Sequence, residues 1–305
     1  MNESKPTHTT ITGATHSLGE RFPTRPAEVG RLPIRRALPN RHKKTVGAWC
    51  FLDHAGPVRG SAEAGMHVGP HPHIGLQTLT WMIDGSVLHR DSLGYEQVVL
   101  PGQVNLMTAG RGITHAEDTV SDGSFHAVQL WIALPDAERN RLPSFQNYAN
   151  LPIRRDGGFE ITVLAGTAWD LTSPAEVHSP LVGLDFASVD VAELDMPLDP
   201  KFEHAILVVS GELTIEAESL EPDVLLHIGT GRDKLKLQTT AACRFIIVGG
   251  VPFDEEILIW WNFVARTEKE MVDAVIAWNE HRRFEDVPSV SSPRLQAPTL
   301  PPTWR

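Results

Sequence analysis

His71-Pro72-His73 and, forty-four residues further on, His115-Ala116-Glu117 are the residues of this chain best suited to chemistry. Both pairs have i, i+2 spacing. Side chains two apart on a strand leave it on the same face. Two such pairs on neighbouring strands of a barrel would aim three imidazoles and one carboxylate at a single point. That donor set suits a first-row transition metal: Fe, Mn, Ni, Cu or Zn. At a metal preferring six ligands, two positions would stay open for substrate or dioxygen.

Fourteen histidines in 305 residues would give roughly 0.6 His-x-His pairs by chance, so the first pair does not decide the matter alone. The alternative is a cluster of hydrogen-bonded core histidines. Context favours the metal. Gly65 precedes the first pair and Gly85 closes the run after it. The second pair follows Pro101-Gly102 and Thr108-Ala109-Gly110-Arg111-Gly112. Each pair thus lies on an apolar stretch bounded by turn residues, as barrel strands do. From about residue 30 to 135, apolar runs recur every 8–12 residues with Gly, Pro or Asp between them. Pro72 has no amide hydrogen, which places its strand at an edge, a start or a bulge. In an unbulged strand His71, His73, Gly75, Gln77, Leu79, Trp81 and Ile83 would face one way. Gln77 would then sit one step deeper than the ligands, with Leu79 and Trp81 as an apolar floor. In His126–Pro135, His126, Val128, Leu130, Ile132 and Leu134 share a face, and Gln129 and Trp131 take the other.

These stretches are recognisable. Gly65, five residues, His71-x-His73 resembles the first motif of cupins, and Gly102 through His115 resembles the second. HPHIGLQTLTWMIDG (71–85) and PGQVNLMTAGRGITHAE (101–117) resemble the two signature stretches of the pirin family. RRALP (35–39), VGAWCFLDHAGP (46–57), HAVQLWIALP (126–135) and GGVPFDEEILIWWNFVARTEKEM (249–271) look like further pirin segments. The resemblance runs from about residue 30 to 285. It implies an all-β chain of two tandem cupin domains, jelly-roll β-barrels, with a short C-terminal helix. It implies one divalent metal, iron foremost, on His71, His73, His115 and Glu117. Many pirins carry Glu where this chain has Gln77. The acidic ligand in the family is the Glu two residues after the motif-two His, a place Glu117 fills.

Length and composition agree with a large core: 41% hydrophobic and 21% charged residues describe a globular protein that needs no staple. The two cysteines, Cys50 and Cys243, read as buried apolar residues in a reduced compartment. No N-terminal apolar core resembles a signal peptide, and no run approaches the roughly twenty apolar residues of a membrane span. The expectation is a cytoplasmic protein with no membrane contact. A net charge of −11 argues against autonomous nucleic-acid binding. The one basic cluster, Arg31, Arg35, Arg36, Arg41, Lys43 and Lys44, reads as a solvated edge.

The expected organisation is a flexible segment over 1–28, a metal-binding cupin domain over 29–140 and a linker over 141–158. A metal-free cupin domain follows over 159–288, then a flexible tail over 289–305. The run HAILVVSGELTI in the second half echoes LQTLTWMIDGSVLH in the first, which suggests duplication. The second copy has no His-x-His, and His204 and His227 read as structural or surface residues. Thr267-Glu268-Lys269-Glu270 is a capping-box pattern opening a helix near 267–283. His281, Arg282 and Arg283 stand where cations favour the helix dipole.

Around the site, Gln77, Trp81, His89 and His67 are candidates for the pocket lining. Asp53-His54 reads as hydrogen-bonding residues of a Gly/Pro-bounded turn. Two functions fit the resemblance. One is a quercetin-type dioxygenase, with a flavonol or similar flat aromatic and dioxygen as substrates and Glu117 as both ligand and proton acceptor. The other is a non-catalytic, redox-sensitive metal protein acting as a cofactor of transcription or of another enzyme through a protein partner. The four ligands serve both equally.

Overall fold

A computed structural model describes residues 18–59, 65–120 and 123–304. Their strands form two successive antiparallel barrels, each a large sheet facing a small one. In the first, the large sheet runs Ser144–Tyr148, Val104–Thr108, Leu76–Asp84, Ser124–Ala133, Trp49–Arg59, Leu32–Leu38, Arg25–Val29. The small sheet runs His67–His73, Ile113–Thr119, Val87–Asp91, Glu96–Val99. The second barrel repeats this with an eight-stranded sheet built on Phe159–Ala168, Leu181–Ser188, Glu203–Ser210 and Cys243–Gly250, and a four-stranded one.

The two large sheets pack back to back. Leu52, Leu79, Trp81, Leu106, Leu130 and Ile132 of the first share one apolar cluster with Leu164, Leu207, Leu225 and Ile246 of the second. A polar clamp reinforces this contact. Glu203 accepts from Lys43 Nζ and from the Gly47 amide, both at 2.7 Å, and from His227 Nε2 at 2.9 Å. Burial works to raise the Glu203 pKa, but these donors outweigh it and hold the carboxyl down at about 2. His227 is therefore structural, tied to the clamp. The interiors of the barrels differ. The second is filled by one continuous cluster that includes Phe159, Phe186, Phe245, Leu213 and Leu237. The first is split into two clusters, one around Leu32, Met66 and Met82 and one around Phe51, Met107 and Trp131. The polar site lies in the first barrel.

Several expectations change. The pattern over 71–83 is two strands, not one. Gly75 adopts a left-handed φ of 68° between His67–His73 of the small sheet and Leu76–Asp84 of the large one. A Cβ there would stand 2.2 Å from the Val264 carbonyl oxygen, so only glycine fits. The break inverts the parity. Leu79 and Trp81 face the second barrel rather than the cavity, and Thr78 faces inward. Asp53 and His54 are not in a turn but in the middle of the strand Trp49–Arg59.

The expected flexible and linking segments carry structure. Residues 1–17 lie outside the described residues, but Glu20–Pro23 pairs with Val224–Ile228 of the second barrel and Arg25–Val29 with Leu32–Leu38. Within 141–158, Ser144–Tyr148 edges the first large sheet and Ile153–Asp156 the second. The tail packs back on the first barrel: the Leu295 amide donates to Pro70 O at 2.8 Å and Trp278 Nε1 donates to Leu295 O at 2.9 Å. The helix, Glu268–Asn279, is the one α-helix among the described residues. Thr267 caps it by accepting from the Glu270 amide. Its last turn holds no cation, because His281, Arg282 and Arg283 fall beyond the cap. Met271, Ala274 and Trp278 pack with Ile74 and Phe263, so the helix covers the first barrel although it follows the second in sequence.

Candidate metal centre

The strand His67–His73 pairs antiparallel with Ile113–Thr119, placing His71 opposite His115 and His73 opposite Ile113. A bulge between His115 and Glu117 shifts the register. His71, His73 and His115 each present a ring nitrogen within 4.8 Å of the other two. Glu117 falls in a second group, with His89 and His115, that is equally tight and shares His115 with the triad. All three imidazoles are buried. Burial drives the His71 pKa down to about 4 and holds His73 and His115 well below the ordinary range, helped by neighbouring histidines. The rings are neutral, as ligands must be. Burial pushes the Glu117 carboxyl up.

The hydrogen bonds state which nitrogen of each ring is bare. His71 Nδ1 lies 2.9 Å from Gly69 O and His73 Nδ1 lies 2.9 Å from Asn262 O. Carbonyl oxygens only accept, so both Nδ1 atoms carry hydrogen and both Nε2 atoms are free. His115 is set by a longer chain. Asp91 Oδ2 stands 3.1 Å from His89 Nε2, and Asp91 Oδ1 is already bound by the Leu93 and Tyr95 amides. In the tautomer that donates from Nε2 to Asp91, the His89 ring has a bare Nδ1, 3.3 Å from His115 Nδ1. His115 then donates from Nδ1 and bares Nε2. His73 Nε2 and His115 Nε2 face one another at 3.1 Å. Two bare nitrogens at that distance repel unless a cation lies between them. The donor set therefore fits a metal, with carbonyl and carboxylate partners orienting the rings as they do around metal-bound histidines.

The triad opens on a cavity of about 520 Å³. Phe51 and Trp131 form its flat wall, stacked with centroids 3.9 Å apart, and Trp131 meets the His73 ring edge-on at 5.2 Å. Arg36, Asp53, Thr78, Gln129, Glu117 and, from the C-terminal segment, Ile259, Trp261, Asn262 and Leu295 also line it.

Of the expected lining residues, the structure brings only His89 beside the site, stacked on Phe145 at 4.2 Å and bonded to Asp91. Gln77 turns away: its amide donates to Thr108 Oγ1 and to Glu176 O of the second half. Trp81 lies in the contact between barrels. His67 is exposed and bonds Asp118 at 3.1 Å. All three are displaced by causes invisible in their own spacing: the Gly75 break for the first two, and for His67 its place at the solvent end of the strand. Sequence reasoning missed Arg36, Phe51, Asp53 and Asn262. The signal for Asn262 was its place in a Trp-rich hairpin, Leu258–Trp260 with Phe263–Ala265. Both cysteines are free and buried, with burial pushing Cys50 up to about 12 and Cys243 to about 11.

Residues 31–132 match the pirin family model and residues 183–285 the model of the pirin C-terminal cupin domain. A Pseudomonas aeruginosa protein provisionally named as a quercetin 2,3-dioxygenase is 46% identical, covering 94% of this chain and 91% of its own. A crystal structure of quercetin 2,3-dioxygenase from Acinetobacter baumannii superposes with a TM-score of 0.90 at 46% identity, covering 93% of this chain and 96% of that one. The Escherichia coli bacterial pirin YhhW, in complex with nickel(II), shares the fold at 20% identity and a TM-score of 0.61, over 75% of this chain and 96% of its own. No helix among the described residues is long and apolar enough to cross a membrane.

Proposed function

Since the chain belongs to the pirin family, we propose that its first barrel is the active site of a cytoplasmic, metal-dependent dioxygenase of the quercetin dioxygenase type. The substrate is a flavonol or a similar flat aromatic. The observation that carries this is the meeting of three bare imidazole nitrogens with a stacked aromatic wall in one cavity. The names of the 46% identical relatives point the same way. His71, His73, His115 and Glu117 would hold one divalent ion. Iron is the proposed metal, and Mn, Ni, Cu or Zn would suit the same donors. When bound, the ion supplies Lewis acidity and access to dioxygen.

The chain's own residues do the rest. Phe51 and Trp131 orient a flat ring, and Trp131 sets its edge against His73. The hairpin bearing Trp261 and the tail bearing Leu295 screen the cavity from water. Glu117, its carboxyl raised by burial, would take the substrate hydroxyl proton. Gly69 O, Asn262 O and the Asp91–His89 pair keep the three rings in the liganding tautomer.

The test is oxygen uptake by iron-loaded protein with a panel of flavonols. The expected result is oxygen uptake that depends on the flavonol. Fully iron-loaded protein that consumes no oxygen with any member of the panel would sink the catalytic reading and leave the metal with the regulatory role.

A further inference from the structure

The cavity wall is ruled into two rows by its strand register. Phe51 pairs with Trp131, and Trp131 with Thr78. Arg36 pairs with Asp53, Asp53 with Gln129, and Gln129 with Thr80. The second row stands two residues along each strand from the first, on the same face, which is a step of roughly 7 Å. The first row is aromatic and abuts His73. The second is polar, one step removed from the aromatic row.

The polar row is held rigid, with capacity to spare. Arg36 donates through Nε and Nη2 to the two Asp53 oxygens at 2.8 and 2.7 Å, and its guanidinium lies 4.4 Å over the Phe51 ring. Thr80 Oγ1 donates to Gln129 Oε1 at 2.8 Å and so turns the amide. Gln129 Nε2 keeps only a long 3.5 Å contact with Leu130 O. Asp53 is 3% exposed, and burial lifts its pKa to about 6 in spite of Arg36. It therefore gains from further donors. The Arg36–Asp53 pair is neutral overall, which disfavours a carboxylate or phosphate ligand and suits an uncharged one.

Resting on the dioxygenase reading, we propose that Arg36, Asp53 and Gln129 form a second recognition subsite that takes adjacent hydroxyl groups on the pendant ring of the substrate. A hydroxyl donates to Asp53, and Gln129 Nε2 and the free Arg36 Nη1 donate to hydroxyl oxygens. The aromatic row then supports the ring system between this subsite and the triad. The preferred substrate class is a polyhydroxylated flat aromatic. A site built on buried hydrogen-bonding groups rejects an analogue lacking the partner hydroxyls, because its own groups are then left unpaired.

The experiment uses iron-loaded protein under argon, so that ligands bind without turnover. Tryptophan fluorescence quenching gives the affinity for a flavonol with two adjacent pendant-ring hydroxyls and for the same flavonol without them. The parent protein should favour the hydroxylated ligand by about thirtyfold or more. Asp53→Asn and Gln129→Leu should each cut that ratio to within about threefold. Thermal melts identify a variant that fails to fold, and the other variant then decides. A parent ratio below threefold, a ratio that survives in the folded variants, or no binding of either ligand overturns the subsite. Readmitting oxygen separates the two claims. Discrimination without consumption refutes the dioxygenase and leaves the subsite. Consumption of both ligands without discrimination does the reverse.

Discussion

Replacing His115 with alanine is expected to abolish stoichiometric metal binding while the barrel stays folded. His115 belongs to both ligand groups and faces His73 Nε2 at 3.1 Å, so no other single removal opens the centre as widely. The ring projects towards the cavity rather than into the continuous apolar clusters, so stability should fall far less than after a core deletion. Elemental analysis together with thermal unfolding reads both quantities. Asp91→Asn acts on the same centre from further away. An asparagine amide can donate to His89 Nε2, which drives the His89 proton to Nδ1 and the His115 proton to Nε2, where the metal should be. Outer partners of this kind are typically worth about 10- to 100-fold in metal affinity. Full occupancy in His115→Ala, or unchanged affinity in Asp91→Asn, would remove the respective role.

Glu117→Gln is expected to lower flavonol turnover about a hundredfold at saturating metal. Glutamine keeps the size and one possible oxygen ligand but loses the charge and the basic site. Loss of charge also weakens metal binding, so metal content must be matched between variant and parent before rates are compared. The carboxyl suits the task because burial raises its proton affinity and His89 and His115 lie beside it. Turnover within threefold of the parent would eliminate the proton-transfer role. The ligand role would survive that result, because holding a metal and moving a proton are separable.

The family and the two-barrel architecture were legible because they live in local patterns. An i, i+2 pair on a strand needs no distant information to point at one place, and the Gly- and Pro-bounded motifs around His71 and His115 mark strand ends directly. Gln77 and Trp81 were misplaced because their orientation depends on one left-handed glycine. Gly75 is required by the approach of Val264, nearly two hundred residues away, and no periodicity within 71–83 encodes that contact. Asp53 was read as a turn residue because Gly56 and Pro57 follow it, yet both lie inside a long strand. The termini were read as flexible from composition. Glu20–Pro23 and Leu295 are held instead by backbone hydrogen bonds to distant strands, which polar side chains do not prevent and in which proline carbonyls still accept. The cavity lining from Asn262 and Leu295 was hidden for the same reason.

The most direct test of the account is an anomalous difference map from crystals of the iron-loaded protein, collected at the metal edge. One strong peak is expected, bonded to His71, His73 and His115 with Glu117 in its coordination sphere, and none inside the second barrel. A peak away from these residues, a peak among residues 159–260, or no peak in protein that retains its iron in solution would contradict it.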